Sequence, residues 1–290
     1  MRQSLAVVLA LTAASLNGCV APPPDGPVGR YEAKVPFHGL SGDDVVQLDV
    51  FVVERPAADR CLNREVWELA DEEVLKDKKS LLEENGLRAC VLGDSPPDGL
   101  RALLRSERSC ANPRRLRLHA GRPTQIVLGP AASDLAFQLR QDGRTADVSL
   151  DQAQCLLQVT TRLTGDGRMN LQFAPQVRHG EPVSLPRPMR EGGSLHWGVQ
   201  TEQPTETYPG LGWEMTVPPN TYIAVGTLLD RPDTLGQRAF LSAEAPRTQR
   251  LLVLRPGRAL ADGGPTDEAN GRQPPLALQA GWTAARGAGP

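Results

Sequence analysis

The chain has five cysteines, and these are the residues whose possible chemistry is the most specific. A cysteine thiolate is a nucleophile and a metal ligand, and two thiols can join in a disulfide. Cys19 follows an apolar run near the N-terminus, whereas the other four are spread along the interior of the chain: Cys61, Cys90, Cys110 and Cys155. No two of the five form a C-x-x-C pair, so the spacing predicts neither a zinc ribbon nor a thioredoxin-type redox site.

The sequence that precedes Cys19 is typical of an export signal. Arg2 gives it a positive start, and residues 5–16 are an apolar run that is too short to span a bilayer. Leu16-Asn17-Gly18-Cys19 then resembles the lipobox of bacterial lipoproteins, which implies cleavage before Cys19 and acyl chains on that cysteine, a firm membrane anchor. The alternative is an ordinary secretory signal peptide with a chance cysteine at its end.

The same resemblance implies a destination. Val20, rather than an acidic residue, follows the cysteine, which implies delivery to the outer membrane with the protein facing the periplasm. Retention at the inner membrane stays open. In an oxidising periplasm Cys61, Cys90, Cys110 and Cys155 could form up to two disulfides, and their spacing does not choose among the three pairings. Free buried thiols are the other alternative.

The remaining polar residues do not form a recognisable catalytic, metal or cofactor pattern. The histidines are far apart in the sequence, and the acidic groups 71–73 and 83–84 lie on predicted solvated helix faces. Gly192-Gly193-Ser194 near His196 is interpreted as a loop. Arg114, Arg115, Arg117 and Arg122 are the densest basic stretch, which predicts either a solvated strand edge or a site for an anionic lipid headgroup. We therefore expect no metal, no cofactor and no enzymatic activity.

Composition limits the fold and the partners. The formal net charge is −2, so nucleic acid is a poor candidate partner. Hydrophobic residues make up 40% of the chain, enough for a core, whereas aromatic residues make up only 4%. Together with 28 glycines and 26 prolines, this indicates many turns and a strand-rich fold.

The first part of the chain predicts a tether and then a small α/β unit. Residues 1–18 are the signal peptide, and residues 19–33 are a lipidated, proline-rich tether. The α/β unit covers residues 34–112. Its expected elements are a half-buried strand at 44–54, helices at 63–75, 76–85 and 97–106, and a strand at 87–92.

From residue 113 the pattern becomes strand-like and continues to residue 256. The clearest signal is a hairpin in which residues 157–163 and 169–173 alternate in phase around Gly165-Asp166-Gly167. Residues 180–212 are rich in proline and glycine and are expected to be irregular. Strands are expected at 222–228 and 250–254, and residues 257–290 are too poor in large apolar side chains to fold, which predicts a disordered tail.

The order of strands in residues 113–256 resembles the β domain of the secretin family, the channel proteins of type II and type III secretion. The matching pieces are residues 118–124, residues 156–160 with 164–167 and 171–173, residues 217–226 and residues 251–256. The V-P-x-L-G-x-I-P repeat of the family is absent, and only Asp233-Thr234-Leu235-Gly236 lies in its place. The resemblance implies a shared β architecture, without a convincing pore segment.

The sequence thus predicts an α+β protein, with the α/β unit followed by a mostly antiparallel secretin-like β domain. The expected function is that of a lipid-anchored, non-enzymatic structural or interaction module of the cell envelope, with the membrane and an envelope protein as partners. Two alternatives stay open: a ring-forming transport component of the secretin type, and a periplasmic enzyme whose site is assembled from dispersed residues.

Overall fold

Thirteen strands and four short α-helices follow one another along the part of the chain that the structure describes. The structure is a computed structural model, and it describes residues 45–191, 194–242, 244 and 246–258. The strands are β1 Val45–Pro56, β2 Leu87–Gly93, β3 Cys110–His119, β4 Pro123–Val127, β5 Ala132–Gln141, β6 Arg144–Leu163, β7 Met169–Arg178, β8 Val183–Glu191, β9 Ser194–Glu202, β10 Thr205–Thr207, β11 Trp213–Val217, β12 Tyr222–Thr227 and β13 Thr248–Arg258. The helices are α1 Val66–Glu68, α2 Lys79–Glu84, α3 Asp98–Arg105 and α4 Leu235–Phe240.

Sheet I has five strands in the order β2-β12-β13-β1-β3, and every neighbouring pair is antiparallel. Both of its faces are buried. Leu252 and Leu254 of β13 join the main core, which they share with the second sheet, whereas Leu251 and Val253 join a smaller core under α1 and α3. A strand buried on both faces is apolar at consecutive positions, which explains the run from Leu251 to Leu254.

Sheet II is built around the long hairpin of β6 and β7. The outer edge of β6 is shared by β5 and β4, and the outer edge of β7 is shared by β11 and β10. Val159, Leu171 and Phe173 face sheet I in the main core, and Gln158 lies on the opposite face among other polar side chains. Each fully buried side chain of this size contributes about 1.5–3 kcal/mol. The predicted hairpin is therefore confirmed in its position and in the face that it buries.

Short helices fill the remaining surfaces of the two cores. A π-helical turn at Cys61–Glu65 runs into α1, and together with α3 these helices cover the outer face of sheet I. A 3-10 helix at Glu73–Lys78 leads into α2, which contributes Leu82 to the main core. α4 contributes Leu235 and Phe240 to the same core.

The turn between α2 and β2 is hydrogen-bonded to two further elements, β5 and β12. The side chain of Asn85 is fully buried, and its Nδ2 donates to the carbonyl oxygens of Leu81 and of Arg140 in β5 at 2.9 and 2.7 Å. The carbonyl oxygen of Gly86 accepts from the Thr227 hydroxyl at the end of β12 at 2.8 Å. Gly86 itself has φ +70°, as expected for the glycine that ends a helix.

The described residues are α+β and mostly antiparallel, as predicted, but the division at residue 113 is wrong. The sequence places β1 and β2 in a separate α/β unit at 34–112, but both strands are in the same sheet as β12 and β13 of the predicted β domain at 113–256. These strands belong to one compact unit. A sequence pattern shows the faces of a strand but not its partners, so it did not reveal that the last strand pairs with the first.

Three smaller expectations also need correction. The helix expected at 63–75 is shorter, because the chain leaves helical geometry after Glu68 and forms a bridge between Asp71 and Val91. Residues 180–212 are not irregular, since they form β8, β9 and β10. β13 continues to Arg258, so the expected tail begins two residues too early. The signal peptide at 1–18, the tether at 19–33 and the rest of the tail lie outside the described residues.

Candidate functional site: an exposed apolar arm

The four interior cysteines are all free thiols in the structure. Cys90 and Cys155 are buried in different cores, on opposite faces of sheet I, and burial raises the pKa of each thiol to about 12. Burial, with the nearby carboxylate of Glu65, raises the pKa of the Cys61 thiol to about 11. Cys90, Cys110 and Cys155 are buried and Cys61 is half-buried, and the disulfides that the sequence leaves open stay a prediction. Protonated thiols at neutral pH are poor nucleophiles. Cys19 lies outside the described residues.

The described acidic and histidine residues are not gathered into a metal site. Glu72, which was expected on a solvated face, lies largely buried and pairs with Arg88 and, at 3.3 Å, with Lys79. Nε2 of His179 lies 3.6 Å from Oε1 of Glu206. His196 is on β9, next to Trp197 in the sequence. His119 ends β3, and His38 is outside the described residues.

The basic stretch lies where a solvated edge was expected. Arg114, Arg115 and Arg117 are exposed on β3, the edge strand of sheet I. Arg115 donates from Nε to the buried carboxylate of Asp49 on β1 at 2.9 Å. Charged side chains along an unpaired edge discourage pairing with another chain.

A cavity of only about 10 Å³, no larger than one water molecule needs, lies at the main core between the two sheets. Its walls are mainly aliphatic and aromatic, including Trp213 and Phe240, and Cys155 is its ionisable residue. Because the pKa of that thiol is raised to about 12, its thiolate is scarce at neutral pH. The lining therefore lacks a pair of groups that could exchange protons with a substrate.

The surface of greatest functional interest is formed by β8 and β9, which we call the arm. These two strands form a sheet of their own, paired from Val183 and Glu202 at the base to Glu191 and Ser194 at the far end. Each is nine residues long, or about 30 Å at roughly 3.3 Å per residue. An isolated two-stranded hairpin is marginally stable in water, so contacts beyond its own two strands matter for the arm.

One face of the arm carries a continuous row of exposed apolar residues. Partners in an antiparallel pair share a face, so Pro186 with Val199 and Pro188 with Trp197 lie on one face. Leu195 follows on the same face towards the far end, where its partner in the register is Arg190. Leu195, Trp197 and Val199 are 72%, 74% and 73% exposed. We call Pro186, Pro188, Leu195, Trp197 and Val199 together the apolar face of the arm. Exposed apolar residues that occur singly are ordinary, but a contiguous row of them marks an interaction site.

The other face of the arm is mixed and carries polar contacts. Arg187 donates from Nη2 to Oε2 of Glu202 at 2.9 Å, and Met189 covers Gly198. Near the base, on the apolar side, the hydroxyls of Ser184 and Thr201 lie 3.3 Å apart. The apolar row thus lies between the polar pair Ser184 and Thr201 at the base and the register position of Arg190 at the far end.

The base of the arm is fastened to sheet II. The backbone N–H of Gly180 donates to the carbonyl oxygen of Asp151 on β6 at 2.8 Å. The N–H of His179 donates to the carbonyl oxygen of Pro204 at 2.9 Å, and Nε2 of Gln203 donates to the carbonyl oxygen of Gly180 at 2.8 Å. β7 and β10 pair immediately below. The arm therefore extends from an ordered ladder.

Sequence reasoning missed the arm although part of its signal is readable. In β9, Leu195, Trp197 and Val199 alternate with His196, Gly198 and Gln200, which is the period of a strand with one apolar face. The prolines of β8 hid the partner strand, because proline is unusual inside a strand.

No protein-family model, no curated protein and no solved structure matches this chain. Within the part of the chain that the structure describes, no helix has the length and apolar character needed to cross a membrane.

Proposed function

We propose that this chain is a lipid-anchored, non-enzymatic protein of the bacterial cell envelope and that it acts as an interaction module. Acyl chains on Cys19 hold it at the periplasmic face of the outer membrane, and the arm is its docking element. The proposal combines the lipobox-like sequence before Cys19 with an exposed apolar surface that a binding role would explain.

The apolar face of the arm is the observation that carries the proposal. Its three residues on β9 are each more than 70% exposed, so they contribute little to either core. Exposing such residues favours aggregation, and a protein gains nothing in folding stability from it. Their order along one face of a fastened hairpin supports a specific contact.

Free thiols and scattered polar groups give the enzyme alternative no comparable support. The ring-forming alternative depends on the secretin resemblance, which stays a prediction. The arm supports binding without either assumption.

The test has two parts in intact cells. For the anchor, the wild-type protein should incorporate radiolabelled palmitate and the Cys19→Ala variant should not. For the arm, the photoreactive residue p-benzoyl-phenylalanine replaces Val199 in one variant and Leu69 in the control. Leu69 is as exposed as Val199, at 74% against 73%, but it caps the end of α1 and is not part of the arm.

Illumination should give adducts from position 199 and none from position 69, because only the arm docks. Equal yields from the two positions, or none from position 199 in a correctly anchored protein, would refute the proposed role of the arm. Palmitate on the Cys19→Ala variant would refute the anchor.

A further inference from the structure

We infer that the apolar face of the arm inserts into the surface of a lipid bilayer, as a second membrane contact beside the acyl chains on Cys19. This inference rests on the proposed function and names the partner of the arm. Its apolar face would lie at the boundary between headgroups and acyl chains.

The edge of β8 argues against strand addition as the way the arm docks. Pro186 and Pro188 have no N–H to donate to β9, so both occupy positions whose backbone nitrogen faces the free edge. That edge therefore lacks two donors that an added strand would need. The edge of β8 is therefore a poor template for an added strand, and the exposed face is the surface that we assign to docking.

A second copy of the chain is also a poor occupant. A hairpin of nine residues per strand has a face of about 30 Å by about 10 Å, or roughly 300 Å². Two such faces would bury about 600 Å² together, whereas a specific interface buries at least about 1,000 Å². A bilayer needs no matching shape and accepts a flat apolar face.

The side chains of the arm suit the interfacial region of a bilayer. Trp197 has an apolar ring with one N–H donor, and tryptophan is enriched where apolar chains meet headgroups. Leu195 and Val199 flank it on the same strand, and Arg190 pairs with Leu195 at the far end, where a long cationic side chain can reach the headgroups. Ser184 and Thr201 are exposed at the base. The ionisable residues Arg187, Arg190, Glu191 and Glu202 sum to zero formal charge, so anionic lipid is not required.

The anchor makes a weak insertion sufficient. Residues 20–44 number 25, and a fully extended chain of that length reaches about 80 Å at about 3.3 Å per residue. An arm confined within that distance of the membrane binds in an intramolecular step, at a high effective concentration. The arm therefore needs little intrinsic affinity.

The test measures whether lipid contacts Trp197 in the full-length lipidated protein. The protein is reconstituted into phosphatidylcholine vesicles whose acyl chains carry bromine, which quenches nearby tryptophan, and into vesicles without bromine. The variants are Trp197→Phe, which removes the reporter, and Leu195→Glu, which places a charge on the apolar face. Leu69→Glu is the matched control, because Leu69 and Leu195 are 74% and 72% exposed.

Bromine should quench part of the wild-type emission, and that part should be lost in Trp197→Phe and in Leu195→Glu but kept in Leu69→Glu. High salt should leave it unchanged. The other three tryptophans are present in every variant and form the same background: Trp67 and Trp213 are buried, and Trp282 lies outside the described residues. Quenching of the wild type that equals that of Trp197→Phe would overturn the inference. If position 199 still gave a protein adduct in cells, the docking role would stand with a protein partner; without any adduct, both proposals would fail.

Discussion

Leu69 and Leu195 are equally exposed single residues with different neighbours. Leu69 ends α1 beside charged residues, whereas Leu195 continues a row formed with Trp197 and Val199. Exposure of one leucine costs little and needs no explanation. The row, not the individual residue, indicates binding.

The cysteines give a prediction at the residue scale. Burial raises the thiol pKa, to about 11 at Cys61 and about 12 at Cys90 and Cys155, so the thiolate that reacts with iodoacetamide is scarce in the folded protein. Native protein should be alkylated slowly, and the rate at Cys61 should rise with pH towards about 11. Unfolding in urea without reductant should expose all four interior thiols, counted by mass spectrometry.

The same shifts make stability depend on pH in one direction. An unfolded thiol ionises near the ordinary pKa of 9.0, but these folded thiols do not until about pH 11–12. Their contribution is therefore complete below pH 9 and is lost as pH rises through the folded pKa values. In the alkylation experiment, two thiols that stay unmodified after unfolding without reductant would reveal a disulfide and contradict the expected count of four.

At the scale of elements, the β6–β7 hairpin gives the clearest stability test. Leu171 and Val159 are fully buried in the main core, so Leu171→Asp or Val159→Asp should cost about 3–5 kcal/mol, enough to unfold much of the protein. Gln172→Ala, on the opposite face, should stay within about 0.5 kcal/mol of wild type. Urea denaturation followed by tryptophan fluorescence measures both.

Gln158 should behave differently from Gln172 in that experiment. Its Oε1 accepts from Nε2 of Gln176 at 2.8 Å, and Gln176 is buried. Gln158→Ala should therefore cost about 1 kcal/mol, since it weakens a buried hydrogen bond. For the buried face of the hairpin, the contradicting result is a Leu171→Asp variant that is as stable as the wild-type protein, because it would show that the hairpin is not part of the core.

The junction at Gly86 supplies a second test. A Cβ on Gly86 would lie 2.1 Å from Oγ1 of Thr234, and its φ of +70° disfavours any side chain. Gly93 has a similar φ of +77° but open space around it, so Gly93→Ala is the matched control. We expect Gly93→Ala to cost about 1–2 kcal/mol and Gly86→Ala clearly more. Equal losses in thermal unfolding would contradict the packing of this junction.

The elements also show what sequence could predict. Alternation identified β1, β6 and β7 because each has one apolar face in a regular period. It missed β8 because of Pro186 and Pro188, and it missed α4, which has only six residues and no extended period. The apolar spacing after Asn63 predicts one helix over 63–75, but the chain forms a π-helical turn and a three-residue α-helix that end at Glu68.

At the scale of the whole molecule, sequence order misled because spatial order differs. β1 lies between β13 and β3, so the first and last described strands pair along eleven residues. Each strand shows its faces in its own sequence, but the pairing depends on contacts between distant residues. The arm could be predicted only in part, from β9, since its exposure depends on what the rest of the fold leaves uncovered.

The central claim is that the arm is the docking surface of the molecule, and hydrogen–deuterium exchange tests it without choosing a partner in advance. The lipidated protein in outer-membrane vesicles is compared with a soluble form lacking residues 1–19. Amides of β8 and β9 should exchange quickly in the soluble form and be protected in the membrane, while β6 and β7 should be protected in both. Arm amides that exchange equally fast in both states, with new protection at another surface such as β3, would contradict the account.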